Sequence, residues 1–382
     1  MENIHTPILI IGAGPAGLAT AARLSAAGQD FTIIEKSKYV GNAWREHYDR
    51  LCLHTVKELS HLPLLPFPDD YPRYVHKDQL VDYYEQYKDH FKIKPHYETA
   101  ATDIRRKNGE WQVQTDTGQT FQTPNLVVAT GVNHAPNRPV FKDEEQFTGQ
   151  IIHSKVYKNG KPFVGKNVLV VGMGNTGAEV ALDLVEYGAA STTIAVRGKV
   201  NIVPRDLRGR PTQLTALKLA KLPTWLGDWL GSQVRKLTMG DLPKYNLPYP
   251  KIPPAKQLRT LGKTPVVDLG TADMIRAGKI KIVNTGIDHF TPGSVIFEDG
   301  SEQAFDVVIL ATGYKANLTD MIEHGPTMMD RFGWPKFVVG AGEQDGLYFI
   351  GFDNYTAGGI LGVINRDSQI IAEHISQKLI PA

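Results

Sequence analysis

Ile8-Leu9-Ile10-Ile11-Gly12-Ala13-Gly14-Pro15-Ala16-Gly17-Leu18 decides the fold of this 382-residue chain. The β-branched run ending at Ile11 has the composition of a short strand buried in a parallel sheet. Leu18 to Ala27 is rich in alanine and leucine and reads as a helix. Gly28 punctuates it, and Phe31 to Ile34 gives a second strand closed by Glu35. Strand, G-x-G-x-x-G turn, helix and strand together make a βαβ nucleotide-binding unit. Gly12 permits the tight turn, Gly14 lets backbone approach a pyrophosphate, and Gly17 lets helix and strand pack closely. The whole turn, with Ala13, Pro15 and Ala16 between its glycines, is the expected pyrophosphate cradle. The helix N-terminus adds free N–H groups and the positive end of its dipole. Glu35, just past the second strand, is placed to accept hydrogen bonds from both hydroxyls of a ribose.

The pattern recurs. Val168-Leu169-Val170-Val171 leads into Gly172-Met173-Gly174-Asn175-Thr176-Gly177, a helix to about Tyr187, and a strand from Thr192 to Val196. Arg197 follows, read as the counterpart of Glu35. A carboxylate there would repel a 2′-phosphate, whereas a guanidinium binds one bidentately. The competing reading of Arg197 is a solvated charge at a strand end. The two units predict FAD on the first turn and NADPH on the second, with some tolerance of NADH.

Two further strands end alike, Leu126-Val127-Val128-Ala129-Thr130-Gly131 and Val307-Val308-Ile309-Leu310-Ala311-Thr312-Gly313-Tyr314. Each follows a hairpin signal, with Gly118 at one turn and Asp299-Gly300 at the other. The expected fold is α/β, two Rossmann-like dinucleotide-binding domains (FAD and NADPH), the second inserted in the first. Residues 1–145 and 312–382 form the FAD-binding domain and 146–311 the NADPH-binding domain. A helical, proline-rich insertion covers about 204–265. Within it, Leu214 to Leu237 reads as one apolar helical stretch carrying Trp225 and Trp229. A lid or substrate-access element is expected there, ahead of plain scaffold packing. A membrane-surface helix ranks last, because the basic face of Lys218, Lys221, Arg235 and Lys236 is thin.

Composition excludes several classes. Lys+Arg 42 against Asp+Glu 40 leaves a net charge of +2, so charge implies no nucleic-acid partner. The Arg205, Arg208 and Arg210 cluster lacks interleaved aromatics and reads as surface charge or a cofactor-phosphate neighbour. The one cysteine, Cys52, excludes a disulfide framework, a cysteine metal cluster and a redox CxxC pair. No metal is expected. No apolar run reaches the ~18–20 residues of a membrane helix, and a strand begins already at Ile8, leaving no room for a signal peptide. A soluble cytoplasmic protein is expected. No Ser/His/Asp-type constellation is present.

Between the glycine turns lies Phe147-Thr148-Gly149-Gln150-Ile151-Ile152-His153-Ser154-Lys155-Val156-Tyr157-Lys158. It resembles the F-x-G-x-x-x-H-x-x-x-(Y/F)-K signature of the flavin-containing monooxygenases, class B flavoprotein monooxygenases, at every fixed position. Leu310-Ala311-Thr312-Gly313-Tyr314 is a second marker of that family. The likeness runs from about Ile8 to the C-terminal helix. It looks closest to the plant YUCCA-type indole-3-pyruvate monooxygenases, through Tyr48-Asp49-Arg50-Leu51, His54-Thr55-Val56-Lys57, Gly262-Lys263-Thr264-Pro265-Val266 and Ile275-Arg276-Ala277-Gly278. Baeyer–Villiger members usually carry Trp where this chain has Tyr157.

The resemblance implies FAD on Gly12–Gly17 and Glu35, flavin contact by Ala43-Trp44, and backbone contacts to the adenine half at Ala101 and Thr130. It implies NADPH on Gly172–Gly177 and Arg197. Where many members carry Asn-Thr or Asn-Gly beside the flavin, this chain has His54-Thr55. His54 therefore has two readings: a catalytic residue near the flavin, or a satisfied core histidine. His153 is expected to orient the inter-domain link. The implied activity inserts one oxygen atom from O2 into a small organic substrate through a hydroperoxide at flavin C4a. It would be N- or S-oxygenation, or oxidative decarboxylation of a 2-oxo acid such as indole-3-pyruvate. A neutral or cationic His54 would favour the second route. Family habit implies a homodimer. A flavin disulfide reductase needs the second cysteine this chain lacks. An NADPH oxidase or electron-transfer reductase without oxygen insertion, and a redox-sensing binder, are the remaining alternatives.

Overall fold

In the computed structural model, which describes residues 3–133 and 135–379, Leu9–Ile11 lies between two parallel neighbours. Thr32–Ile34 pairs on one side and Leu126–Val128 on the other, with Leu347–Phe349 beyond. The expected outer limits at residues 1 and 382 lie outside the described residues. Alternation sorts the side chains. Ile8 and Ile10 pack under the helices Pro15–Ala26 and Ile360–Leu379, while Leu9 and Ile11 join Trp111, Val113 and Phe121 on the other face. A sheet covered on both faces needs apolar residues at consecutive positions, which is why Ile8 to Ile11 shows no polar alternation. Each such side chain contributes ~1.5–3 kcal/mol by leaving water.

The second sheet is wholly parallel, in the order Ile280–Val283, Ser191–Ala195, Asn167–Val171, Val307–Leu310, Gln150–His153. All five strands fall, in sequence, between Leu126–Val128 and Leu347–Phe349 of the first sheet. The second dinucleotide-type fold is therefore nested within the first, as the sequence predicts. Both hairpin signals are realised. Ala101–Lys107, Glu110–Thr115 and Thr120–Thr123 form one antiparallel sheet, with Gly118 at φ +81. Ile287–Phe290, Ser294–Phe297 and Glu302–Ala304 form the other, with Gly300 at φ +80.

The chain leaves the first sheet and returns to it side by side. Ala135–Pro136 pairs antiparallel with Tyr314–Lys315, and Asn137 N–H donates to Gly313 O at 2.9 Å. The insertion is closed at its base by Ile202–Pro204, parallel to Val266–Asp268. Its expected single helix over 214–237 is corrected to two, Thr212–Leu219 and Thr224–Met239. Pro223 sets the break, having no N–H for the helix and disfavouring helical backbone at Leu222 before it.

Candidate functional site

Both glycine turns lie at the carboxyl ends of their strands, where open α/β sheets bind ligands. In the first, Gly12 has φ +104, and a Cβ on it would stand 2.7 Å from Ala129 O. A Cβ on Gly17 would stand 1.8 Å from Gly12 O, so helix and turn touch backbone to backbone. Gly14 differs: a Cβ there meets nothing within 4 Å. Its backbone is extended (φ −78, ψ −174) and no side chain caps the helix after it, whose first turn opens with Pro15. The turn thus presents free N–H groups across open space, the arrangement a pyrophosphate fills.

Glu35 is buried beside this turn. Its Oε2 accepts from Ala13 N–H at 2.7 Å and its Oε1 from Ser37 N–H at 2.9 Å and Ser37 Oγ–H at 2.7 Å. Sequence reasoning missed Ser37, although a hydroxyl two residues past the acid was visible. Thr99 N–H donates to Glu35 O at 2.9 Å, which brings the start of the Ala101 strand alongside. Gly41 N–H donates to Ala13 O at 3.0 Å, so the short helix Asn42–Arg45 carries Ala43 and Trp44 to the same turn. Thr130 presents a buried hydroxyl without a partner just past Leu126–Val128. An open cradle, free helix N–H groups, an acid and an orphaned hydroxyl suit a dinucleotide such as FAD.

Thr55 packs against the N-terminus of the C-terminal helix, where a Cβ on Gly359 would stand 2.7 Å from Thr55 Cγ2. Gln213 of the insertion ties the two segments. Its Nε2–H donates to Gly358 O at 2.7 Å, and its Oε1 accepts from Val56 N–H at 2.8 Å.

The second turn repeats the first. Gly172 has φ +103 with its Cβ direction 2.6 Å from Ala311 O, Gly177 would place a Cβ 2.1 Å from Gly172 O, and Gly174 faces nothing within 4 Å. Met173 is buried in the core of this unit. Asn175 Oδ1 accepts from Val267 N–H at 2.7 Å, which ties the helix start to the base of the insertion. The open cradle and the uncapped helix N-terminus suit NADPH as they suit the first dinucleotide. One correction concerns register. Gly172 N–H donates to Ala195 O just as Gly12 N–H donates to Ile34 O, both at 2.8 Å. Val196, not Arg197, therefore stands at Glu35's place, and Arg197 lies one residue further on. The helix Asn175–Tyr187 has 13 residues against 12 in Pro15–Ala26, and that one extra residue shifts the count between the two units. Arg197 is exposed and forms no ion pair among the described residues.

Between the turns runs a polar seam that the sequence did not reveal. His54 Nε2–H donates to Glu179 Oε1 at 2.7 Å. Glu179 sits in the helix of the second turn at 1% exposure, and its Oε2 has no hydrogen-bond partner. Burial and the Glu179 carboxylate push the Tyr48 hydroxyl well above the ordinary tyrosine range. One helical turn on, Asp183 is fully engaged. It accepts from Tyr157 Oη–H at 2.6 Å and Gly160 N–H at 2.9 Å, with Arg50 at 3.4 Å. The Phe147–Lys158 segment thereby acquires physical roles. A Cβ on Gly149 would meet Asp306 O at 2.5 Å, and Tyr157 stacks on Phe163. His153 Nδ1 accepts from Lys155 N–H at 3.1 Å, so Nε2–H donates to Gly313 O at 3.2 Å, on the returning link. Burial lowers the His153 pKa below the ordinary histidine value. The acids Glu179 and Asp183, four apart on an otherwise alanine- and leucine-rich helix, were the signal available to find this seam.

Two cavities differ in meaning. One of about 490 Å³, lined by Thr148, Gly149, Lys166, Asn167 and Asp306, opens where the second sheet's strands begin, away from both turns. A smaller one of about 220 Å³, lined by Leu59, Leu217, Gly358, Val363 and Arg366, adjoins the Thr55–Gly359 contact.

Residues 6–324 match the flavin-binding monooxygenase-like family model. The chain is 40% identical over 375 residues to an indole-3-pyruvate monooxygenase, YUCCA1, of Oryza sativa subsp. japonica, covering 96% of this chain and 90% of the relative. It is 38% identical to the probable indole-3-pyruvate monooxygenase YUCCA7 of Arabidopsis thaliana, covering 98% and 88%. Among solved structures, the flavin-containing monooxygenase of Stenotrophomonas maltophilia superposes with a TM-score of 0.74 at 18% identity, covering 99% of each chain.

Proposed function

The chain belongs to the flavin-binding monooxygenase-like family and is an NADPH- and FAD-dependent monooxygenase, and from that footing we propose that its substrate is an aromatic 2-oxo acid, indole-3-pyruvate. The observation that carries this reading is 40% identity over 96% of the chain to a protein of that activity. The reaction consumes NADPH, a proton, O2 and the 2-oxo acid. It yields NADP⁺, water, CO2 and the acid one carbon shorter.

Gly12, Ala13, Gly14, Pro15, Ala16 and Gly17 cradle the FAD pyrophosphate in this reading, Glu35 takes the ribose, and Ala43, Trp44, Ala101 and Thr130 line the rest. Gly172 to Gly177 cradle NADPH, with Arg197 on its 2′-phosphate. When bound, FAD supplies the redox chemistry that makes O2 an oxygen donor, and NADPH supplies the electron pair. The chain's own residues bind, orient and exclude water. Trp44 packs against the apolar cores of both units and closes the floor between them. His54 and Thr55 line the flavin side, and the 220 Å³ cavity beside Thr55 takes the apolar part of the substrate. Cys52, half-buried and alone, leaves no dithiol to reduce. We place the domain divisions near residues 145 and 311, where the chain passes from Leu126–Val128 to Gln150–His153 and from Val307–Leu310 back to Leu347–Phe349.

The test is a balance of NADPH consumed, H2O2 released and CO2 formed, with indole-3-pyruvate, thioanisole or trimethylamine. Free peroxide by itself decarboxylates a 2-oxo acid, so CO2 is measured with catalase present, and CO2 formed in step with NADPH only for the 2-oxo acid is the expected result. Peroxide equal to NADPH with every substrate would make the protein an oxidase. Sedimentation of the holoenzyme tests the homodimer, and cell fractionation tests the cytoplasmic location.

A further inference from the structure

The two glycine units correspond residue for residue in spacing and glycine contacts through the first helical turns, which isolates one position. Gly17 corresponds to Gly177 by its contact with the turn, so Glu179 occupies the place of Ala19. Ala19 is fully buried, and a small apolar residue satisfies the fold there. The second unit instead buries a carboxylate, which is strongly unfavourable unless it is partnered. Its hydrogen-bonded partner comes from the other unit: His54, at 2.7 Å. Tyr48 also lies against this carboxylate, without a hydrogen bond of normal geometry to Oε2, and Arg50 is engaged with Asp183 and Glu186. Packing therefore does not demand Glu179, and the bond it makes fixes a ring on the flavin side.

We propose that Glu179 is a positioning residue for His54. Its Oε1 holds Nε2–H, fixing the ring plane and the tautomer, and leaves Nδ1 free to act toward the flavin and substrate. Because Glu179 rides on the helix that follows the second turn, this one charge-assisted bond also ties the NADPH unit to the flavin-side loop. The inference rests on the placement of His54 in the proposed function.

The experiment uses the oxidised, FAD-loaded full chain. Imidazole ¹⁵N–¹H correlation spectra read the His54 tautomer in the unaltered protein, Glu179→Gln and Glu179→Ala. His54→Ala identifies the signal. The expected result is a single Nε2–H tautomer that becomes a mixture in both Glu179 variants. Product formed per NADPH should fall about tenfold, with the KM for NADPH changed less than twofold. The double variant Glu179→Ala, His54→Ala should be no worse than His54→Ala alone, as for residues acting as a unit. Should the alanine variant fail to fold, Glu179→Gln, nearly isosteric and uncharged, decides the matter. An unchanged His54 tautomer in Glu179→Gln would overturn the inference, and so would multiplicative losses in the double variant. The tautomer is read without substrate, so a wrong choice of substrate appears only as missing product.

Discussion

Replacing Gly14 and Gly174 in turn with valine separates the two nucleotide sites. Each glycine has ordinary extended backbone, φ −78 and φ −90, which valine adopts readily. Each also faces open space to at least 4 Å, so the protein without nucleotide should change in stability by only ~0.5 kcal/mol. The nucleotide has no such room. Valine's methyls occupy the approach of the pyrophosphate, and two charge-assisted bonds from backbone N–H at ~1.5–3 kcal/mol each are lost. Affinity should fall by about 10²- to 10⁴-fold. The assays are the ratio of flavin to protein absorbance after purification, NADP⁺ titration by tryptophan fluorescence, and the melting temperature of the flavin-free protein. Gly14→Val should be colourless yet melt normally; Gly174→Val should be fully yellow with weak NADP⁺ binding. By contrast, Gly17→Ala drives a Cβ to 1.8 Å from Gly12 O and should lower both flavin content and melting temperature. Full flavin content in Gly14→Val, or equal damage to both sites by either valine, would refute the division of labour between the turns.

Arg197→Ala should weaken NADPH binding about 30- to 150-fold, from the loss of ~2–3 kcal/mol of phosphate contact, and change NADH binding less than twofold. Equal loss for both nucleotides, measured by titration, would remove the phosphate role. The melting temperature should also fall as pH drops below 6.5, because burial holds the folded pKa of His153 beneath that unfolded value. The unfolded chain then binds more protons, and a protonated Nδ1 can no longer accept from Lys155 N–H. Half-buried His47 acts in the same direction. His153→Gln should start less stable but flatten the slope between pH 7.5 and 5.5; an unchanged slope would exclude His153 as a source.

Both sheets were legible because strand, glycine turn and helix carry their reasons locally. Gly12 and Gly17 are required by contacts within a few residues, and Ile8 to Ile11 is apolar on both faces because both are covered. Pro223 was equally local, yet the apolar run around it outweighed it in reading 214–237 as one helix. The register of Arg197 failed for a different reason. Strand pairing, not sequence distance, fixes which residue lies opposite Glu35, and a helix longer by one residue shifts the count. The pairing across the seam could not be read. His54 and Glu179 are 125 positions apart, and no periodicity announces that a loop of one unit will meet a helix of the other. Glu179 itself was visible as an acid among apolar neighbours, a conflict that chain-local reasoning registers but cannot resolve.

The antiparallel ribbon of Ala135–Pro136 with Tyr314–Lys315 has a practical corollary. Exit and re-entry points are neighbours, so the nested nicotinamide-type unit can be excised there and the cut ends joined by a short turn. A unit with different coenzyme selectivity can be grafted at the same two points. Such a chimera would keep its flavin-type half whole but would have to be given a new Glu179 and Asp183, because those carboxylates travel with the removed piece.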